Sequence, residues 1–434
     1  SSYEDYQNLI ERSRKGEHNI FWPKPIKWFA KSSGTTGAKS KFIPVSSDSL
    51  EDCHYAASKD LLCMYLNNNE SSTLFNGKNL RLGGSKELYE ENGTIFGDLS
   101  AILIHNMPFW AEFSSTPSNK VSLMSDWEYK MQAIVNETIN ENVTSLAGVP
   151  SWMLVLLNNV LETSGSKTIL DVWPNLEVYF HGGVSFLPYV DQFKSIIPSK
   201  SVKYYEIYNA SEGFFAIQDR NNSDELLLML DYGIFYEFIP MQTYGTATEK
   251  VIPLSEVEKG KNYAIIVTTN AGLWRYKIGD TVTFTSTAPY RLKITGRTKH
   301  FINVFGEELI IENTDKAIKI VTKKTKTELI DYTVAPIFME GKSKGAHEWI
   351  IAFKTPPKDL QYFVELLDNA LKALNSDYEA KRYNNITLDE PKVHVAPADV
   401  FYKWMKRNNK LGGQHKVPRL SNSRQFLEEL LEMI

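Results

Sequence analysis

Cysteine is nearly absent from this sequence, with only Cys53 and Cys63 among 434 residues. Both are expected on one helix, where ten residues of rise separate them by about 15 Å, beyond disulfide reach. The cytoplasm is therefore the default compartment. Eight histidines are scattered along the chain. No His-x-x-x-His or Cys-x-x-Cys pair occurs, so a structural zinc site is not expected. Long apolar runs are missing as well, and none approaches the roughly 18–20 residues of a membrane span. Neither sign of charge dominates, since 48 Lys and Arg stand against 52 Asp and Glu for a net charge of −4. That excludes a global pull toward nucleic acid or an anionic membrane, and any basic site must be local. There is no initiator Met and no charged-then-apolar leader. Ser1-Ser2-Tyr3-Glu4-Asp5-Tyr6 opens the chain as a fragment or a processed product would.

What is present suits a folded chain. Hydrophobic residues make up 42% and charged residues 23%, enough for a real core, and the length suits one enlarged domain or about two to three ordinary ones. The distinctive stretch runs from Lys31 to Val45, Lys-Ser-Ser-Gly-Thr-Thr-Gly-Ala-Lys-Ser-Lys-Phe-Ile-Pro-Val. Glycines let backbone N–H groups turn toward an anion, hydroxyls add donors and lysines neutralise charge, which is the chemistry of holding a polyphosphate. Ser32, Ser33, Gly34, Thr35, Thr36, Gly37 and Lys41 are the candidate contacts. The Walker A loop, Gly, four residues, then Gly-Lys-Ser/Thr, does not fit, because Ala38 follows Gly37 and Ser32 stands five before it. Trp28-Phe29-Ala30 and Phe42-Ile43-Pro44-Val45 read as short strands, so the loop joins strand to strand with Pro44 at an edge. A flexible surface loop of the same composition is the alternative.

Along the rest of the chain, a helix capped by Ser47 or Asp48 is expected to run to about Leu66. Trp127 to Asn140 reads as a helix, Val143–Ala147 as a strand, and Pro150 sits in the first turn of the next helix. A strand at Leu176–Phe180, a turn at His181-Gly182-Gly183, a helix at Pro188–Ile197 and a strand at Val202–Tyr208 continue the alternation. That is the pattern of a parallel α/β layer. Ligands bind beyond the carboxyl ends of such strands, where Gly182-Gly183 and Asn209-Ala210-Ser211-Glu212-Gly213 fall. From Leu226 to Thr295 short strands follow one another and suggest a β-rich, barrel-like subdomain. After Arg297 strands and helices alternate again. The expected fold is α/β, with a large domain over 1–297 and a smaller α/β domain over 298–434.

Further motifs follow the first loop. They are Tyr208-Asn209-Ala210-Ser211-Glu212, Leu273-Trp274-Arg275-Tyr276-Lys277-Ile278-Gly279-Asp280 and Gly296-Arg297-Thr298-Lys299-His300-Phe301-Ile302-Asn303-Val304-Phe305-Gly306-Glu307. Gly412-Gly413-Gln414-His415-Lys416-Val417-Pro418-Arg419 lies near the end. Each has a plain structural meaning on its own. Glu212 would open a helix, Gly279-Asp280 would be a turn between strands, the third would be a strand with a basic turn, and the last a basic loop. A hydrolase elbow, Gly-x-Ser-x-Gly, is not met, since Asn209 stands where its first glycine belongs.

Taken together and in this order, the motifs resemble those of the adenylate-forming superfamily of acyl-CoA synthetases, firefly luciferase and peptide-synthetase adenylation domains. Within it, Val267-Thr268-Thr269-Asn270-Ala271-Gly272-Leu273-Trp274-Arg275-Tyr276 and Gln414-His415-Lys416-Val417-Pro418-Arg419 resemble segments of the Gretchen Hagen acyl acid amido synthetases. The likeness runs over nearly the whole chain, and the wording of the first loop is similar to bacterial members. Tyr3-Glu4-Asp5-Tyr6 resembles a segment that follows an N-terminal helical region, which is expected to be missing here.

The resemblance implies ATP and Mg²⁺. In this scheme the first loop grips the phosphates, Glu212 binds Mg²⁺, Tyr208 lies against adenine with Asn209 and Ser211 beside it, and Gly182 and Gly183 admit the base edge-on. Asp280 would accept from the ribose hydroxyls, Arg297 would contact the nucleotide, and Lys416 would reach the acyl phosphate from a mobile C-terminal domain. Val149 and Trp152 are expected near the acyl group. Where the superfamily has Asp and Lys at its hinge, this chain has His300 and Asn303, so the hinge residue departs from the pattern. The implied reaction adenylates a carboxylic acid and passes the acyl group to an amine, an amino acid by family analogy. Transfer to CoA or a carrier thiol, and a nucleotide-binding scaffold without turnover, are the alternatives. The implied partners are small molecules, with no nucleic acid and no membrane. The oligomeric state stays open, and a monomer is compatible.

Overall fold

The computed structural model describes residues 1–32, 41–83, 88–124, 126–183, 186–298, 301–302, 307, 309–338, 345–375, 378–379, 382, 388–408, 410–411, 417–421 and 423–434. The chain divides into two units. The first holds Ser1–Ile278 and Thr283–Lys293, and the second holds Gly279–Val282, Ile294–Leu411 and the C-terminal residues to Ile434.

In the first unit, α1 (Tyr3–Arg14) precedes an antiparallel pair, β1 (Trp28–Ser32) and β2 (Lys41–Val45), with Ser32 opposite Lys41. The hydroxyl-rich loop therefore joins strand to strand, as its flanks predict. β2 is the edge of a four-stranded sheet, and its chemistry suits that place. The Phe42 N–H donates to the Tyr3 hydroxyl of α1 at 2.8 Å, and two residues on, Pro44 has no N–H to leave unpaired. The Arg14 guanidinium lies 3.8 Å above the Phe42 ring and fixes α1 against the edge. The expected helix after Ser47 begins as a π-helical turn, Ser49–Tyr55, and continues as α2 (Ala56–Asn68). Cys53 is buried and Cys63 exposed, and neither is in a disulfide.

The parallel layer is built from β3 (Lys78–Leu82), β4 (Val143–Gly148), β5 (Val178–Gly182) and β6 (Lys203–Ala210). Their register runs Leu80↔Leu146, Leu146↔Tyr179 and Tyr179↔Tyr204. Helix α3 (Trp127–Thr138) precedes β4, and α4 (Pro150–Ser164) follows it with Pro150 in its first turn. α4 stops at Gly165, whose φ of 67° is open to glycine at little cost. Every residue of β5 is buried, which is the mark of a strand covered on both faces.

Three expectations change here. His181 and Gly182 are strand rather than turn, because a Cβ on Gly182 would stand 2.5 Å from the Ile207 carbonyl oxygen of the neighbouring strand. Gly183, with φ 80°, leaves the strand. Glu212 does not open a helix. β6 reverses through Ser211-Glu212 into antiparallel β7 (Gly213–Ile217), with Ala210 opposite Gly213. Nor is Gly279-Asp280 a turn, since it lies within the 12-residue strand β8 (Tyr276–Thr287), which precedes β9 (Tyr290–Arg297).

The β-rich stretch is present. Its strands continue the parallel layer in one hydrogen-bonded series that runs Ile252–Pro253, Ile234–Pro240, Asn262–Thr269, β8, β9, Leu226–Leu228, β7, β6, β5, β4, β3, Ser115–Thr116. Alternating and continuous apolar patterns on short strands look alike whether the sheet closes or stays open.

The first unit also has the short helix α5 (Val190–Ile196), and the second unit begins its helices with α6 (Ile311–Thr325). Its sheet is β10 (Glu328–Ile337), antiparallel to β11 (Ala346–Thr355), which pairs in parallel with β12 (Lys392–Ala396). α6 and α7 (Leu360–Leu374) contribute to one apolar cluster with Tyr332 and Trp349. α8 (Val400–Arg407) and α9 (Gln425–Leu431) contribute to a second with Ile350 and Trp404. Because strand residues alternate faces, Trp349 and Ile350 serve the two clusters in turn. Among the described residues, no helix is long and apolar enough to cross a membrane.

Candidate active site

The parallel strands place four loops along one edge. β3 to β6 run in the same direction, so Gly83, Val149, Gly183 and Ser211-Glu212 all follow carboxyl ends. That is where an α/β sheet binds ligands. Glu212 is half-buried at the hairpin turn and Ser211 is buried. The turn is braced by Cys53, for which the sequence predicts no role at the site. The Phe214 N–H donates to Cys53 Sγ at 3.2 Å, and a Cβ on Gly213 would meet Ile234 at 2.7 Å. The π-helical turn carrying Cys53 thus presses on the segment that presents Glu212. The signal was not legible, since a lone cysteine in a helical pattern reads as core.

Other predicted residues take structural places. Tyr208 is buried, with its ring 4.9 Å from that of Phe215, and Asn209 pairs in register with Phe214. Trp152 is buried edge-on against Trp127 at 4.6 Å, so its ring fills the helical layer, while Val149 stays half-buried just before α4. His181, next to Gly182, is buried and stacks on Phe186 at 4.2 Å. Burial pushes its pKa down to about 3, so it is neutral and unsuited to carrying charge.

Ser33, Gly34, Thr35, Thr36 and Gly37 lie outside the described residues, as do His300, Asn303 and Lys416. Their flanks are described. Ser32 ends β1 and Lys41 opens β2, with Lys41 Nζ 5.3 Å from the Tyr3 ring centre. Beyond Lys416, Arg419 pairs with Asp331 and lies 4.5 Å above the Tyr332 ring, which ties the terminal motif to β10. Glu307, at the end of the hinge motif, is fully buried against His347 Nε2 at 2.9 Å.

In the second unit, two predicted nucleotide contacts are brought together. Arg297 Nε donates to Asp280 Oδ1 at 2.7 Å, with the Asp280 side chain 10% exposed and that of Arg297 43% exposed. The β8–β9 pairing sets this up, helped by the Thr298 N–H donating to the Gly279 carbonyl at 2.7 Å and by Thr295 Oγ1 donating to Thr281 Oγ1 at 2.9 Å. The result is a sheltered carboxylate oriented by a guanidinium whose outer face is wet.

Among the described residues, no group of three or more His, Cys, Asp or Glu could hold a metal ion. Mg²⁺ does not require one, because it keeps waters and is commonly shared between one or two carboxylates and substrate phosphates. Glu212, a half-buried carboxylate at a strand end, fits that sparse donor set.

The fold is that of the acyl-adenylate-forming ligases. It superposes over 100% of this chain and 81% of a 2-hydroxyisobutyryl-CoA ligase bound to an acyl-AMP, with a TM-score of 0.61 at 11% identity. The AtGH3.15 acyl acid amido synthetase in complex with 2,4-DB gives a TM-score of 0.80 at 17% identity, over 100% of this chain and 86% of that one. The family models for the GH3 N-terminal, central and C-terminal domains match residues 1–202, 227–297 and 312–425. The chain belongs to the GH3 family. It is 23% identical over 290 residues to indole-3-acetic acid-amido synthetase GH3.3 of Arabidopsis thaliana, covering 62% of this chain but 47% of that protein. With the jasmonoyl–L-amino acid synthetase JAR6 of Nicotiana attenuata it shares 21% identity, covering 96% of this chain and 83% of that one. The chain thus spans about half the length of some of its relatives.

Proposed function

We propose that this chain activates a carboxylic acid with ATP and transfers the acyl group to an amine, an amino acid being the favoured acceptor. The observation that carries this reading is the Asp280–Arg297 pair, two separate motif residues joined as a ribose acceptor and a cation would be. The ordered match to all three GH3 domains supports it.

In the first step a carboxylate oxygen attacks the α-phosphorus of ATP. The bond from that phosphorus to the bridging oxygen breaks, and pyrophosphate leaves. In the second, the amine nitrogen attacks the acyl carbon, AMP leaves, and the amine loses a proton. Lys41, Arg297 and the hydroxyls and N–H groups of Ser33, Thr35 and Thr36 offset charge that builds on the phosphates. Asp280 orients the ribose, and Lys416 adds a positive charge near the acyl phosphate. Mg²⁺ at Glu212 would neutralise phosphate charge when bound. An ATP substrate and two thiols outside any disulfide suit the cytoplasm.

The test is acid-dependent ATP–pyrophosphate exchange with a panel of carboxylic acids, followed by acceptor comparison. Lys416→Ala and Glu212→Ala are each expected to reduce exchange by about 10²–10³. Near-normal exchange in both removes these role assignments. Faster transfer to CoA than to amino acids would move the chain to the thioester-forming branch, and an absence of exchange with every acid would leave a binding scaffold.

A further inference from the structure

Arg81 lies next to last in β3, in register with Ala147 of β4. Its guanidinium is largely shielded, and that burial lowers its pKa against a weaker pull from Glu112. Its contacts do not neutralise it. Nη1 lies 2.8 Å from the Met107 thioether, and Nη2 donates to the Asn119 amide oxygen at 3.1 Å. Nε is enclosed and donates to nothing among the described residues. Asn119 donates in turn to Glu112 at 2.8 Å, so that carboxylate reaches Arg81 only through an amide. A guanidinium is a planar fork matched to carboxylate or phosphate. A shielded charge with no counter-ion among the described residues is costly to keep, which points to an anion that arrives with a ligand.

Position narrows the choice. β3 to β6 are parallel, so Arg81 lies toward the same carboxyl edge as Val149, Gly183 and Glu212. From β3 to β6 is three strand spacings, about 14 Å, a gap that one arginine side chain and a small substrate together span. In the two-step reaction proposed above, adenylation turns the acid's own carboxylate into an acyl phosphate. The carboxylate of an amino acid acceptor instead stays charged through amide formation. We infer that Arg81 binds the α-carboxylate of the amino acid acceptor, a role distinct from the nucleotide contacts. The inference rests on the amide-forming reading, and the experiment separates the two.

Wild-type protein is first assayed for acid-dependent pyrophosphate exchange and for acyl hydroxamate formation with hydroxylamine, which has no carboxylate. Absence of both overturns the reading and the inference with it. With both present, Arg81→Gln is expected to raise the KM for the amino acid at least about tenfold, while hydroxamate formation and the KM values for acid and ATP move less than about threefold. Arg81→Lys, which keeps the charge but loses the fork, falls between. A second arm needs no variant. Replacing the amino acid by its carboxamide is expected to cost the wild type a similar factor. Equal loss with hydroxylamine and amino acid, a shift confined to the acid or ATP, or a carboxamide accepted as well as the amino acid would each overturn the assignment.

Discussion

Changing Asp280 to Asn removes a charge while keeping shape, and in the proposed reaction that charge serves the ribose. One carboxylate oxygen accepts from Arg297 Nε at 2.7 Å, and in the proposed reaction the carboxylate also accepts from a ribose hydroxyl. A hydrogen bond to a charged group contributes about 1.5–3 kcal/mol. The Asp280 end is sheltered, but the guanidinium is 43% exposed, so solvent screening pulls the arginine–aspartate share toward about 1 kcal/mol. Asp280→Asn is therefore expected to raise the KM for ATP about 10–100-fold. Arg297→Gln should do so by a comparable factor. Because Arg297 orients the carboxylate, the double variant should lose less than the sum, with a coupling of about 1 kcal/mol. Pyrophosphate exchange at saturating acid measures all four corners of the cycle, with thermal melting as a check on folding. Effects that add to within about 0.3 kcal/mol would refute the idea that the pair acts as a unit. An ATP KM changed less than twofold in Asp280→Asn would remove the ribose role.

Two further expectations concern stability. Glu348 is 3% exposed and accepts from His394 at 2.7 Å, Lys392 at 2.9 Å and Arg424 at 2.7 Å. Burial would raise its pKa, but the three donors outweigh this and hold it at about 2. A depressed carboxylate stabilises the fold above its unfolded pKa, and that contribution is lost as pH falls through the folded value. Glu348→Gln should cost about 2–4 kcal/mol at pH 7, shrinking between pH near 4.5 and 2. Denaturation of both proteins across that window checks it, and a pH-independent difference contradicts it. Gly182→Ala should lower stability by about 1–3 kcal/mol, because its Cβ would stand 2.5 Å from the Ile207 carbonyl and backbone cannot swing aside. An unchanged melting temperature would show that β5 and β6 separate more easily than their register suggests.

Chain order and local pattern determine much of this protein. The alternation that yields β4, α4, β5 and β6, the strand-to-strand setting of the first loop, the edge position of Pro44 and the small C-terminal α/β layer all follow from periodicity and turn chemistry. These act between residues near in sequence. Family membership was legible for the same reason, since its motifs are short and contiguous.

What the sequence left undecided depends on which distant strands become neighbours. Gly182 is a strand residue because Ile207 approaches it, Tyr208 and Trp152 are core because Phe215 and Trp127 face them, and Cys53 braces the Glu212 turn from 159 residues away in the chain. Asp280 meets Arg297 only through the register of β8 and β9. Arg81 became notable only when its neighbours proved to be a thioether and an amide. Local propensity cannot encode such pairings, because burial and counter-charge are properties of the assembled interior.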